Sequence, residues 1–144
     1  MVARLTGNFV TDASDASGMD LYDLDVGTWS ARILSAAEVD PAQLPDVHRS
    51  IDVVGEVLSS VAEQAGVAAG TPVVIGGGDG VCASTGAGVV AEGAAYNYVG
   101  SSAWIALATS RPLLDPDYRT FCYCHLVPGM FMPTGTTQSA GASY

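Results

Sequence analysis

Basic residues are scarce in this sequence. Five arginines and no lysine stand against fifteen aspartates and glutamates, which gives a formal net charge of −10 at pH 7. An acidic chain repels phosphate backbones and anionic lipid, so neither nucleic acid nor a membrane is expected as a partner. Charged residues make up only 14% of the chain and hydrophobic residues 49%. This balance excludes a disordered chain and predicts a folded core.

Cysteine and long apolar runs are also rare. The three cysteines show no disulfide-framework spacing, which predicts a reduced, cytoplasmic setting. No apolar run approaches the ~18 residues of a membrane span, and the first residues show no signal-peptide pattern.

The cluster Cys122-x-Cys124-His125 is a candidate metal site. Strand alternation would place His125 on the face opposite to the two cysteines, and structural zinc prefers four ligands. We therefore expect no metal there, and we interpret the cysteines as buried strand residues.

The most informative stretch is a glycine turn that carries one aspartate. A short apolar run at residues 72–75 predicts a buried strand, and Gly76, Gly77 and Gly78 follow it. Asp79 is the one ionisable group in the turn, and small residues at 81–90 predict a tightly packed helix. A carboxylate at the carboxyl end of a strand stands where open α/β sheets bind ligands.

Two interpretations of Asp79 remain open at this point. The residue could cap the helix that follows, or it could carry chemistry, and either role accounts for the residue types. A dinucleotide-binding pattern, Gly78-x-Gly80-x-x-Ala83, also fits locally. It lacks the acidic residue that this fingerprint needs about 20 positions later, so we set it aside.

The remaining chain predicts helix-to-strand units followed by a β-rich part. We expect a structured loop at 11–18, a strand at 19–24, an amphipathic helix at 53–65 that Gly66 ends, an antiparallel meander of runs at 94–100, 102–108, 121–127 and 130–136, and a helix start at 138–144.

Residues 25–28 (DVGT) resemble the phosphate loop of actin-like ATPases. That loop lies between the two strands of a hairpin. Here the helical spacing of residues 29–34 follows directly, which makes Thr28 a helix N-cap and the match a coincidence.

Five stretches together resemble the FGGY carbohydrate kinases, and the xylulokinase branch in particular. They occur in the order and spacing of that family and cover nearly the whole chain. They are residues 11–18 (TDASDASG), 72–79 (PVVIGGGD), 99–102 (VGSS), 124–129 (CHLVPG) and 139–143 (SAGAS).

The resemblance implies an α/β fold of the ribonuclease-H-like, actin/hexokinase type, with two domains and a cleft between them. Residues 1–90 would form the end of the first domain, on the side of the sugar. Residues 91–144 would open the second domain, on the nucleotide side, with three antiparallel strands and the start of a helix. The chain would then be an internal fragment that covers only the middle part of a full-length family member.

The resemblance also implies an ATP-dependent kinase that phosphorylates a pentulose, D-xylulose in the first place, with ATP and Mg²⁺. Asp79 would be the general base for the sugar hydroxyl. Gly80 would be the neighbouring sugar contact, where the family usually has Asn or Gln, so that this contact is lost. Gly100, Ser101 and Ser102 would meet the ATP phosphates, and Gly141 would lie near the nucleotide.

Several parts of the family pattern have no counterpart in this chain, namely the first phosphate loop, the upstream sugar segment and the adenosine site. Phosphoryl transfer depends on many groups that act together, so we expect the isolated chain to be inactive. We also expect it to self-associate through apolar faces on residues 81–90, 96–105 and 138–144. The alternatives are a non-catalytic binding or scaffold protein that reuses the fold, and a small nucleotide-binding domain complete in itself.

Overall fold

The computed structural model describes residues 1–143, in which short helices alternate with short strands. This confirms the predicted α/β class. The helices are α1 (Val2–Thr6), α2 (Ala13–Ser17), α3 (Ala31–Ala36), α4 (Ser59–Ala65) and α5 (Asp79–Gly86), with 3₁₀ turns at Pro41–Gln43 and Gly141–Ser143. The strands are β1 (Val10–Asp12), β2 (Tyr22–Asp23), β3 (Thr28–Trp29), β4 (Asp46–His48), β5 (Val53–Glu56), β6 (Pro72–Val74), β7 (Ala95–Val99), β8 (Ala103–Leu107), β9 (Phe121–Cys124) and β10 (Phe131–Thr137).

Three strand pairs organise the first part of the chain. β1 and β4 are parallel, with Thr11 opposite Val47. The pairs β2–β3 and β5–β6 are antiparallel. None of the helices in the described range reaches the length and hydropathy that a membrane crossing requires.

The second part is one antiparallel sheet of four strands in the order β7-β8-β10-β9. All four predicted β runs form strands, but the predicted meander order is wrong, and the sheet has four strands instead of three. Just after β8, the chain still pairs with the first residue of β10, because Thr109 and Phe131 exchange two backbone hydrogen bonds of 2.9 and 2.8 Å. β10 therefore pairs with β8 on one side and β9 on the other.

The core joins helix α5 to this sheet. Val81 of α5 packs with Ala106 of β8 and Met132 of β10, all at most 3% exposed, and three larger side chains complete the cluster. They are Trp104, Tyr123 and Leu126. The predicted domain division at residue 90 stays a prediction, although these contacts tie the two sides of it together.

The predicted helix at 53–65 is wrong in its first half. Val53–Glu56 is strand β5, and the helix begins only at Ser59. The strand forms because β6 pairs with it and because Asn8 donates a 2.7 Å hydrogen bond to the carbonyl of Val54. Gly66 ends the helix with φ 66°, as predicted.

Strand β6 is present as predicted, but it is not buried. Val74 is 49% exposed, and within residues 1–143 β6 pairs with β5 alone. An apolar run bounded by glycine fits a buried strand and an edge strand equally well, so the pattern could not distinguish the two.

Three local predictions near the amino terminus also need correction. Residues 11–18 are not a loop, because strand β1 and helix α2 occupy them. The predicted strand at 19–24 shrinks to Tyr22–Asp23, which pairs with Thr28–Trp29. Ser30, and not Thr28, is the N-cap residue of α3. Trp29 belongs to β3 because its ring meets that of Tyr22 edge to face at 5.9 Å across the hairpin, so α3 begins only after it.

Candidate functional site

Asp79 is presented to solvent by the glycine turn. Gly76 has φ 78°, which favours glycine, and Gly78 is the N-cap residue of α5. Asp79 is therefore the first residue of the helix and does not occupy the cap position. The one hydrogen bond that its carboxylate accepts within residues 1–143 comes from the backbone N–H of Gly80, at 2.7 Å. The carboxylate is exposed and has unused lone pairs.

A pocket of about 240 Å³ opens beside Asp79, between helices α2 and α5 and the four-stranded sheet. Its wall combines two carboxylates, three aliphatic hydroxyls and two aromatic rings. These groups belong to Asp15, Asp79, Ser14, Thr134, Thr136, Trp104 and Tyr123. A concave site with a few convergent polar groups is the usual form of a small-molecule site.

Asp15 is a second carboxylate at this pocket, to which the sequence assigned no role. Its Oδ1 lies 3.0 Å from where a Cβ on Gly78 would stand. Partial burial raises the pKa of Asp15 above its ordinary 3.8, and the neighbouring carboxylates of Asp12 and Asp79 raise it further. The available signal is the polar run at residues 11–18, whose composition predicts a loop.

A larger cavity of about 930 Å³ lies on the other side of the glycine turn. β1, residues 41–46 and residues 75–77 line it, together with the first residues of α1. Asp15 borders both spaces, whereas Asp79 lines the smaller one.

The predicted phosphate residues come together at the start of β8. Gly141 donates a 2.9 Å hydrogen bond to the carbonyl of Gly100, and Ala140 donates one of 2.8 Å to that of Ser101. A Cβ at Gly141 would lie 2.5 Å from the Gly100 oxygen, so only glycine allows this approach. Ser101 is exposed, and in the described part of the chain the hydroxyls of Ser101 and Ser102 form no hydrogen bond. The predicted helix start at 138–144 is a 3₁₀ turn at Gly141–Ser143, and Tyr144 lies outside the described residues.

Trp104 connects this turn with the glycine turn. Strand β8 places it two residues after Ser102, and its ring lies 3.7 Å from where a Cβ on Gly80 would stand. The ring also stacks on Tyr98, with centroids 5.7 Å apart. Residues 100–102 do not line the pocket at Asp79, whereas Trp104 does.

His125 is engaged by the backbone on both sides of its ring. Nδ1 accepts a 2.9 Å hydrogen bond from the N–H of Val127, and Nε2 lies 2.8 Å from the carbonyl of Val89.

The candidate metal cluster also contains Cys124, and burial raises the pKa of its thiol to about 11. Among the described residues no group of three or more His, Cys, Asp and Glu side chains could hold a metal ion. That Cys122-x-Cys124-His125 binds no metal stays a prediction.

Residues 25–27 do lie between the hairpin strands β2 and β3, and Thr28 begins β3, so the reason for rejecting a phosphate loop there was wrong. The N–H groups of residues 25–27 are nevertheless occupied by one residue. The carboxylate of Asp23 accepts from Asp25 and Val26, both at 3.0 Å, and its carbonyl accepts from Gly27 at 2.8 Å. A phosphate would have to displace these bonds.

Comparison with known proteins identifies the relatives of this architecture. Residues 1–86 match the family described as FGGY family of carbohydrate kinases, N-terminal domain. The chain is 32% identical over 125 residues to a xylulose kinase of Escherichia coli (strain K12), covering 87% of this chain and 26% of that protein. It is also 32% identical over 127 residues to an autoinducer-2 kinase of Yersinia pestis (strain Pestoides F), covering 88% of this chain and 24% of the relative.

Solved structures agree. The ligand-bound xylulose kinase from Lactobacillus acidophilus superposes with a TM-score of 0.92 at 25% identity, over 98% of this chain and 29% of that one. Gluconate kinase from the same species also gives 0.92 at 25% identity, over 98% and 28% of the two chains. These matches confirm the predicted actin/hexokinase-type sugar kinase fold. The chain spans about a quarter of the length of the curated relatives it matches.

Proposed function

Because the chain belongs to the FGGY family of carbohydrate kinases, we propose that it supplies the catalytic base and part of the nucleotide site of an ATP-dependent sugar kinase. The observation that carries the proposal is the exposed carboxylate of Asp79, which begins α5 and faces a pocket rich in hydroxyl groups.

Asp79 would act on the sugar hydroxyl that becomes phosphorylated. Its carboxylate accepts the hydroxyl proton as the hydroxyl oxygen bonds to the γ-phosphorus of ATP, and the bond from that phosphorus to the β–γ bridging oxygen breaks to release ADP. The position of Asp79 in the first turn of a helix suits a negatively charged carboxylate, since the macrodipole is positive there.

The nucleotide would be held at the turn that starts β8. Within residues 1–143 the hydroxyls of Ser101 and Ser102 form no hydrogen bond and Gly141 lies close to the Gly100 carbonyl, which supports phosphate contacts at this turn. Mg²⁺ typically binds one or two carboxylates together with substrate phosphates, so it would arrive with ATP and neutralise phosphate charge.

The substrate we favour is a pentulose, D-xylulose in the first place, because xylulose kinases are prominent among both relatives and structures. Gluconate and autoinducer-2 are alternatives, since kinases named for them match as well. Gly80 leaves open the space that a longer side chain would fill beside Asp79, with Trp104 as its nearest neighbour. A cytoplasmic location stays a prediction.

The test uses a chimera in which these 144 residues replace the matching segment of the Escherichia coli xylulose kinase. We expect D-xylulose-dependent ADP release from the chimera, and a loss of about 10²–10⁴-fold in kcat for Asp79→Asn with KM for the sugar little changed. Asp25→Asn, an exposed aspartate at the tip of the β2–β3 hairpin, is the matched control and should retain full activity.

The isolated chain should release no ADP with any sugar, because base and phosphate contacts work only as a complete set. A folded chimera without turnover would favour the non-catalytic binding or scaffold protein. An Asp79→Asn chimera with most of its kcat would refute the base role.

A further inference from the structure

The glycine turn that carries Asp79 is anchored at both ends by distant segments. The N–H of Gly76 donates a 3.0 Å hydrogen bond to the carbonyl of Ser50. The N–H of Gly78 donates a 2.8 Å hydrogen bond to the hydroxyl of Ser14, which lies 64 positions away in sequence. A turn of three glycines has unusual backbone freedom, so these anchors decide where Asp79 stands.

Both anchoring residues are held by one buried carboxylate. Asp12 is 2% exposed, and its Oδ2 accepts from the hydroxyl of Ser14 at 2.7 Å and from that of Ser50 at 2.6 Å. Because Ser14 donates its single hydroxyl hydrogen to Asp12, its lone pairs are directed to accept from Gly78. The result is a continuous chain of hydrogen bonds from Asp12 through Ser14 to the residue before Asp79.

Helix capping alone does not account for this arrangement. As N-cap of α2, Asp12 also accepts from the backbone N–H groups of Ser14 and Asp15, at 3.0 and 3.1 Å. Those two bonds satisfy the helix end. The two hydroxyl bonds lie outside the capping geometry and lead to opposite ends of the glycine turn.

We propose that Asp12 is a positioning residue for the base: through the hydroxyls of Ser14 and Ser50 it holds the glycine turn that presents Asp79 to the sugar. This inference rests on the proposed role of Asp79. A displacement of the base by about 1 Å is enough to cost roughly 10²-fold in rate, so the network would act on kcat.

The packing around Gly77 supports the same conclusion. A Cβ there would stand 2.4 Å from Leu126 and 3.0 Å from the Ser14 hydroxyl. The turn is thus packed closely against both Ser14 and the loop after β9. Its position is defined by tertiary contacts and not by its own backbone preferences.

The first measurement is hydrogen–deuterium exchange of the Gly78 amide in this chain. Ser14→Ala removes the connecting hydroxyl and leaves both capping bonds of Asp12 in place, and we expect exchange at Gly78 to accelerate about tenfold. The matched control is Ser17→Ala on the same helix, whose hydroxyl bonds to Ser14 O and Cys124 N and does not touch the turn. It should leave exchange at Gly78 unchanged.

The second measurement is steady-state kinetics in the chimera. Ser14→Ala should lower kcat about 10²-fold with KM for the sugar within about twofold, and Ser50→Ala should have a smaller effect, because its carbonyl still binds Gly76. Unchanged exchange at Gly78 in Ser14→Ala would overturn the proposal, and so would faster exchange with full kcat. If Asp79→Asn itself retained turnover, the proposed function would fail first, and the exchange data would describe only an anchored turn.

Discussion

His125 shows how a single side chain is committed to structure instead of chemistry. It is 6% exposed. Its Nδ1 accepts from Val127, which assigns the ring hydrogen to Nε2 and makes it the donor to Val89. This neutral tautomer satisfies both nitrogens. Burial lowers the pKa of His125 below its ordinary 6.5, because the charged ring loses its hydration.

We therefore predict an acid-sensitive stability that depends on His125. Because the folded-state pKa of His125 lies below 6.5, the unfolded chain binds the proton more readily. The contribution of neutral His125 to the free energy of unfolding is therefore complete above about pH 6.5, and it is lost as the pH falls from 6.5 towards the folded-state pKa. Urea unfolding at a series of pH values from 7.5 to 5 measures this slope. His125→Gln should be less stable at pH 7.5 but should lose much of the slope. An equal slope in both proteins would contradict the assignment.

At the scale of elements, helix α1 and strand β5 lie closer together than any side chain at position 55 would allow. A Cβ on Gly55 would stand 2.8 Å from Cβ of Thr6, an atom that cannot move without its backbone. Close to this contact, the N–H of Leu58 donates a 2.9 Å hydrogen bond to the carbonyl of Leu5. Gly55 therefore permits the packing that makes residues 53–56 a strand.

Gly55→Ala should separate α1 from β5 and lower the free energy of unfolding by about 1–3 kcal/mol. Gly86→Ala is the control, since among residues 1–143 a Cβ at that end of α5 meets nothing within 4 Å. It should be neutral or stabilise by up to about 1 kcal/mol, because alanine favours helix more than glycine does. Chemical denaturation of both variants gives the comparison, and a Gly55→Ala protein as stable as Gly86→Ala would disprove the close packing.

At the scale of the whole molecule, large apolar side chains remain uncovered on the four-stranded sheet. Val99 of β7 is 68% exposed and Ile105 of β8 is 57% exposed, as predicted for this hairpin. The predicted exposure of residues 81–90 is only partly correct, because Val81 and Val89 are 3% and 4% exposed. Among described residues β7 pairs only with β8, so one of its edges is open.

We predict that the isolated chain self-associates through this edge, since an open strand with exposed valine and tyrosine is a template for a second copy. Multi-angle light scattering should show a mass above 14.7 kDa that rises with concentration. Val99→Lys should shift the population to monomer, while Val26→Lys, exposed at 71% on the distant hairpin tip, should not. A wild-type monomer at all concentrations would rule the prediction out.

The sequence by itself determined the features that depend on near neighbours. Alternation and turn residues located the four strands of the sheet, and the run of glycines before Asp79 located the turn at the proposed site. Gly66 ended its helix as predicted, because a left-handed C-cap is a local requirement. Order and spacing of the five motif stretches identified the family, which the match over residues 1–86 confirmed.

Only the tertiary structure decided which partners these elements take. Residues 53–56 form a strand because β6 and Thr6 lie beside them, and helical spacing over a short apolar run cannot contain that information. The order of the sheet depends on the bridge between Thr109 and Phe131. The hydrogen bonds from Asp12 through Ser14 to Gly78 join residues that lie far apart in the chain, and their formation depends on how the chain folds in three dimensions.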